Sequence, residues 1–356
     1  MNTRLSFVKA EMDAKNLDGL LISDKTNRIY ISGFTGSSAT IFLSKNQETI
    51  ITDFRYLEQT KSQAADFKVI DHQNHPISTL ASVIKMDNIQ TLGIEAEYMN
   101  VNQYLDLKEA LPDVQIIPVY NLVEKLRAIK DPVEIERMKI AAQITDQAFD
   151  YFLNIIQPGM TELEVAAKLD NRMRELGASD RAFETIVASG WRTSLPHGHA
   201  SAKIINQNEL ITVDFGAVYQ YYYSDMTRTI SLGKVPSQLK EIYEIVKQSQ
   251  EAGISEITST KTCKEIDSVC RQMIEDAGYG KYFGHGTGHG IGLSCHEFPY
   301  LNQTTDLKLS PGMVVTIEPG IYIPNLGGIR IEDDVLVCSE KPGEVLTKST
   351  KEWLEL

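Results

Sequence analysis

Short apolar runs alternate with polar, helix-compatible stretches along the first third of the chain. Asp18–Ser23 (DGLLIS), Ala39–Leu43 (ATIFL), Glu48–Thr52 (ETIIT), Thr91–Glu95 (TLGIE) and Val114–Val119 (VQIIPV) read as buried strands, because each is brief and mostly apolar. Helices are expected around Tyr56–Ala65 and Val101–Leu111. This alternation predicts an α/β domain over residues 1–125.

The pattern changes after the stretch Asn121–Lys130, where a boundary is expected and a second, α+β domain begins, residues 126–356. Asp131-Pro132-Val133-Glu134 is a helix start: Asp131 caps, Pro132 suits the first turn, and Glu134 reaches back to a free N–H. Ile135, Met138, Ala142, Thr145, Phe149 and Phe152 then recur at helical spacing, until Pro158-Gly159 stops the helix. A weak internal repeat follows. Thr161–Glu164 (TELE) opens a helix running to Gly177, and Thr262–Glu265 (TCKE) opens one running to Gly278. Each leads through a His-Gly segment to a strand, Leu210–Gly216 (LITVDFG) or Val314–Gly320 (VVTIEPG), so Asp214 corresponds to Glu318. A second acid follows in each half, Asp225 and Glu332. A duplicated domain would gather the four acids at a pseudo-twofold axis.

Composition narrows the function classes. With 356 residues the chain has room for two cores. The net charge of -13 stands against a nucleic acid as main partner, since neutralising phosphates takes an excess of Lys and Arg; its plain meaning is solubility. The segment MNTRLSFVKAEMDAKNLDG is too charged for a signal peptide, and no apolar run reaches the length of a membrane span. Four cysteines without a CxxC pair suggest a reduced, cytoplasmic protein whose thiols pack. A nucleophilic role for Cys295, beside His296, uses the surrounding residues less well than a metal site does.

Taken singly, each acid is most simply a hydrogen-bonded buried group. Together they are harder to dismiss. Asp214 stands between Val213 and Phe215, and Asp225 follows Tyr221-Tyr222-Tyr223-Ser224. Glu318 and Glu332 repeat this in Thr316–Gly320 and Arg330–Asp334. Buried carboxylates are costly unless a cation meets them, and two divalent ions about 3.5–4 Å apart would cancel four charges. Five of the seven histidines lie in three nearby segments: His197 and His199, His285 and His289, and His296. The glycines around His285 and His289 argue against a helix presenting both to one metal. One is therefore expected as ligand and the other near the substrate.

The motifs SLPHG, VDFG, SDMTRT, GHGTGHGIGLSCHEFP, TIEPGIY and GGIRIEDD together resemble the family of creatinase, methionine aminopeptidase and the proline-specific peptidases, which share the pita-bread fold. Thr52–Tyr56 and the connection IKDPVEIERMKIAA look like the prolidase and aminopeptidase P branch, whose N-terminal domain methionine aminopeptidases lack. The resemblance implies an α/β N-terminal domain, a pita-bread catalytic domain, and five metal ligands: Asp214, Asp225, His289, Glu318 and Glu332. Asp225 and Glu332 would bridge, Asp214 would complete one site, and His289 and Glu318 the other. This donor set suits Mn²⁺ first, with Co²⁺ or Zn²⁺ as alternatives.

By the same resemblance, the ions activate water, Glu318 carries its proton to the leaving nitrogen, and His197 and His296 stand by the substrate. His285 matches another active-site histidine, while Tyr322 and Arg330 orient the site; the plain alternative for the last two is ordinary strand packing. The implied substrates are short peptides with proline second, and the implied assembly is a homodimer. Dipeptide-specific relatives carry an Arg after HExP, where Tyr300 stands here, so aminopeptidase activity on longer peptides competes with dipeptidase activity, unless another residue such as Arg192 supplies the charge. A non-catalytic peptide- or protein-binding role and a hydrolase of small non-peptide amides are the readings from other classes. Loss of ligands would mark the first, and none of the five is lost.

Overall fold

A computed structural model describes residues 3–339 and 342–356. The chain divides into two compact units, residues 1–127 and 128–356. The first unit holds a six-stranded sheet in which Lys68–Asp71, Glu48–Thr52, Ala39–Ser44, Gly19–Ile22, Thr91–Glu95 and Gln115–Val119 lie side by side in that order. Only Ala39–Ser44 runs against the rest. All five strands expected from sequence form. The edge strand Lys68–Asp71 escaped because its four residues are at most half-buried, which leaves no apolar run to see. Leu21, Phe42, Ile51, Leu92 and Ile94 from the sheet pack with Leu80, Ile84 and Leu107 from the helices Pro76–Met86 and Val101–Ala110. The stretch read as a boundary contains a helix of its own, Leu122–Ala128.

In the second unit Asp131 caps the 24-residue helix Pro132–Ile155 by accepting from the N–H groups of Val133 and Glu134, while Glu134 accepts from Asp131 N at 2.8 Å. Met138, Ala142, Thr145, Phe149 and Phe152 are buried along one face, and Ile135 is half-buried at its start. The two later helices, Glu162–Glu175 and Cys263–Asp276, close the same capping box, Thr161 with Glu164 and Thr262 with Glu265. Each then packs on its own hairpin. The first hairpin pairs Glu209–Phe215 with Met226–Leu232, placing Asp214 opposite Thr227. The second pairs Val314–Ile317 with Asp333–Leu336, placing Ile317 opposite Asp333. Thus each half delivers a strand end and the entry to its return strand, and both carry an acid. Separate cores support the halves: Leu169, Met173, Val213 and Phe215 in one, Cys263, Ile266, Val315 and Ile317 in the other.

Because the second helix starts at a buried cap, Thr262→Ala is expected to cost about 1 kcal/mol. Urea unfolding of the full chain should show this as a lower midpoint with an unchanged slope.

Candidate metal centre and active site

Ten side chains singled out by sequence line one cavity of about 430 Å³ in the second unit: His197, Asp214, Asp225, His285, His289, His296, Glu318, Tyr322, Arg330 and Glu332. Their convergence follows from the hairpins. The chain crosses close to itself at two glycines. A Cβ on Gly216 would lie 1.8 Å from Ser224 O, and one on Gly288 would lie 1.9 Å from Thr316 O. Backbones so near to one another bring Asp225 and His289 in beside the strand ends.

The carboxylates are held by different donors. Asp214 Oδ2 accepts from Arg330 at 2.6 Å. Asp225 Oδ2 accepts from the Cys295 thiol at 3.2 Å, and its backbone N–H donates to Asp334 Oδ2 at 3.0 Å. Glu332 Oε2 accepts from Thr227 Oγ1 at 2.6 Å. Asp225, His289 and Glu332 each offer a ligand atom within 4.8 Å of the others. His289 Nε2 stands 3.5 Å from Glu318 Oε1 and 3.8 Å from Asp225 Oδ2.

Among the four candidate acids two oxygens remain unserved: Asp214 Oδ1 and Asp225 Oδ1 are buried and accept no hydrogen bond from the protein. Such atoms are expensive in a folded interior unless a cation meets them. Burial, with the neighbouring carboxylates second, drives Asp225 well above the usual range. Glu318 is raised too, by burial and then by Glu332, and Glu332 is pushed up to about 8 by burial and then by Asp214. The acids thus resist ionising together. The imidazoles are arranged to accept positive charge. His289 Nδ1 donates to Gly290 O at 3.1 Å, so Nε2 presents its lone pair to the acids, and burial holds the ring neutral with a pKa of about 3. Oxygen donors, a fixed imidazole and two orphaned carboxylate oxygens fit divalent cations.

Arg330 organises the surroundings. Its Nε donates to Thr227 Oγ1 at 2.9 Å, one terminal nitrogen to Asp214, and the other to Tyr322 Oη at 2.9 Å and Pro196 O at 3.1 Å. It therefore orients one acid, one phenol and the loop bearing His197. Since Arg330 donates to Tyr322, the phenol O–H is free to donate to His285 Nε2, 2.9 Å away. His285 Nδ1 donates to Gly286 O at 2.8 Å, which defines a neutral tautomer; burial lowers its pKa to about 4. Helix Cys263–Asp276 holds this segment from behind, through Arg271 to the carbonyls of Phe283 and His285 and through Asp267 to Thr287.

Two models match along the chain: the Creatinase/Prolidase N-terminal domain over residues 4–129 and Metallopeptidase family M24 over residues 136–339. The chain belongs to metallopeptidase family M24. It has the family's pita-bread catalytic fold behind an α/β N-terminal domain. The Xaa-Pro dipeptidase of Pyrococcus horikoshii is 37% identical, covering 99% of both chains. Among solved structures, an Xaa-Pro dipeptidase from Bacillus anthracis superposes with a TM-score of 0.97 at 45% identity, covering 99% of both. An X-Pro aminopeptidase from Thermotoga maritima superposes with a TM-score of 0.88 at 38% identity, covering 96% of this chain and 98% of that one.

Arg192 does not reach the cavity; it pairs with Glu162 and donates to His199 O at 2.8 Å. Residues that sequence reasoning passed over include Thr227, which serves both Glu332 and Arg330, and Asp334, which anchors the Asp225 backbone. The SDMTRT and IEDD runs contain them, but only the strand register shows what they face. For a metallopeptidase of this family, Arg330→Met should strand a buried Asp214 and destabilise the metal-free protein by about 3–5 kcal/mol. Denaturant unfolding beside Thr227→Val, expected to cost less, checks this.

Proposed function

We propose that this chain is a metal-dependent exopeptidase that hydrolyses the bond between a first residue and a following proline, with Xaa-Pro dipeptides as substrates. The observation that carries the reading is the convergence of Asp214, Asp225, His289, Glu318 and Glu332 on the cavity that also receives His197, His285 and His296. Those five residues would hold two divalent ions, Mn²⁺ before Co²⁺ or Zn²⁺. When bound, such ions lower the pKa of water and polarise a carbonyl.

The chain's own groups supply the rest. Glu318 is the proton carrier: its side chain is 19% exposed, against 5% for Asp225 and 12% for Asp214, so it is the one best reached from the cavity. A proline nitrogen leaves as a secondary amine and must be protonated, which is the second half of that task. His296, stacked 4.0 Å from His289 between ring centroids, and His197, on the loop that Arg330 holds, stand where the scissile carbonyl's charge develops. Phe183, Ile186, Pro196 and Leu301 give the cavity an apolar wall that suits a pyrrolidine ring.

A second reading, cleavage of longer Xaa-Pro-Yaa peptides, is favoured by the charges of the wall. Tyr300 lines the cavity, Arg330 is the only Lys or Arg among the described residues that does, and all three of its nitrogens are engaged. A dipeptide's free carboxylate therefore finds no spare guanidinium here. The complete donor set stands against a non-catalytic binding role. A cytoplasmic homodimer completes the proposal; among the described residues no helix is long and apolar enough to cross a membrane.

Chelator-stripped protein should regain release of the first residue when Mn²⁺, Co²⁺ or Zn²⁺ is restored. Glu318→Gln should lower kcat by about a hundredfold or more. Folded, metal-loaded protein that cleaves neither Xaa-Pro nor Xaa-Pro-Yaa would overturn the peptidase reading. The ratio of kcat/KM for tripeptide over dipeptide decides between the readings: a ratio below one upholds the dipeptidase, and a ratio above one upholds the second reading.

A further inference from the structure

The loop between His289 and Glu297 brings His296 to the cavity and the buried Cys295 to Asp225, from a glycine-rich segment with little regular structure. His296 stacks on His289, and the Cys295 thiol donates to Asp225. Upstream the loop is tied by Ile291 N to Val314 O at 3.1 Å and by Tyr223 N to Gly292 O at 2.9 Å. Downstream it is tied by the strand pairing of Glu297 with Gly290 and by an ion pair. Lys130 Nζ donates to Glu297 Oε1 at 2.8 Å, across 167 residues of sequence, and the two side chains are 1% and 5% exposed.

Lys130 is itself immobilised. Its backbone N–H donates to Gly312 O at 2.8 Å, and its ammonium also donates to Ala128 O at 3.2 Å. The loop closes directly over the pair, because a Cβ on Gly292 would lie 2.4 Å from Glu297 Oε1 and 2.8 Å from Lys130 Cε. A solvent-excluded ion pair is a poor source of net stability, since desolvation consumes most of the attraction. What it supplies here is direction: the carboxylate next to His296 meets a buried ammonium at hydrogen-bonding distance.

We infer that Lys130 is a positioning residue that acts through Glu297 to hold His296 and Cys295 against the metal centre. For His296 the inference rests on the function proposed above; for Cys295 it does not. The pair is therefore a constraint on the loop rather than a support of the fold. Replacing both charges by neutral groups should spare stability and free the loop.

The test compares metal-loaded full-length protein with Lys130→Met, Glu297→Gln and the double variant. Three quantities are measured: melting temperature, kcat and KM on the peptide substrate, and alkylation of each cysteine by iodoacetamide, read by mass spectrometry. In the double variant the melting temperature should stay near that of the parent. The kcat should fall about tenfold to a hundredfold with KM little changed. Cys295, buried in the parent, should alkylate about tenfold faster or more, while the buried Cys263 and Cys270 stay protected. Unchanged Cys295 alkylation in the double variant would overturn the inference, and so would a parallel rise at all three thiols. If Lys130→Met alone does not fold, Glu297→Gln and the double variant decide. If the parent cleaves no peptide, the function fails, and alkylation still decides whether Lys130 holds the loop.

Discussion

Four carboxylates in one buried cavity cannot all be ionised without an opposing charge, and much of the second unit is arranged around that fact. Water would screen the acids at a surface, but Asp214, Asp225 and Glu332 are buried here. Arg330 neutralises one of them, Asp214, through a single short contact. Each of the other three is raised by burial and by its neighbours. The orphaned oxygens of Asp214 and Asp225 suit a cation. A catalytic centre of this kind is strained until loaded, which is why an interior that looks unfavourable by itself suits a metallopeptidase.

The supporting groups act through orientation more than through energy. Arg330 spans Asp214, Tyr322, Thr227 and the Pro196 carbonyl, so its planar guanidinium ties together pieces from both halves of the unit. Through Tyr322 it also decides which nitrogen of His285 carries a proton. His289 is set by a simpler device, one hydrogen bond from Nδ1 to its neighbour's carbonyl. The buried Lys130–Glu297 pair belongs to the same class of constraint, because its bond defines where a loop lies. Each is a directional contact between largely buried groups.

Local signals made most of the architecture readable in advance. The capping boxes at Asp131, Thr161 and Thr262 depend on residues three apart, and all three form. The buried strands of the first unit show as apolar runs, while its edge strand Lys68–Asp71 stays half-exposed and leaves no such trace. The repeat of LITVDFG in VVTIEPG exposed the paired acids, although Glu318 falls just beyond its strand where Asp214 lies within one. The surrounding hydrogen-bond partners stayed hidden, because Thr227 and Asp334 are unremarkable until the register is known.

The sequence by itself therefore determined the family, the two-part organisation, and the candidate acids and histidines, since these rest on residue identity and short-range spacing. Only the tertiary structure decided which oxygens are left unpaired, which tautomers the histidines hold, and that Arg192 is turned to Glu162 while Arg330 is engaged at all three of its nitrogens. Those properties arise from contacts between residues far apart along the chain. No local pattern encodes them, because burial and hydrogen-bond direction exist only once both hairpins have closed on one cavity.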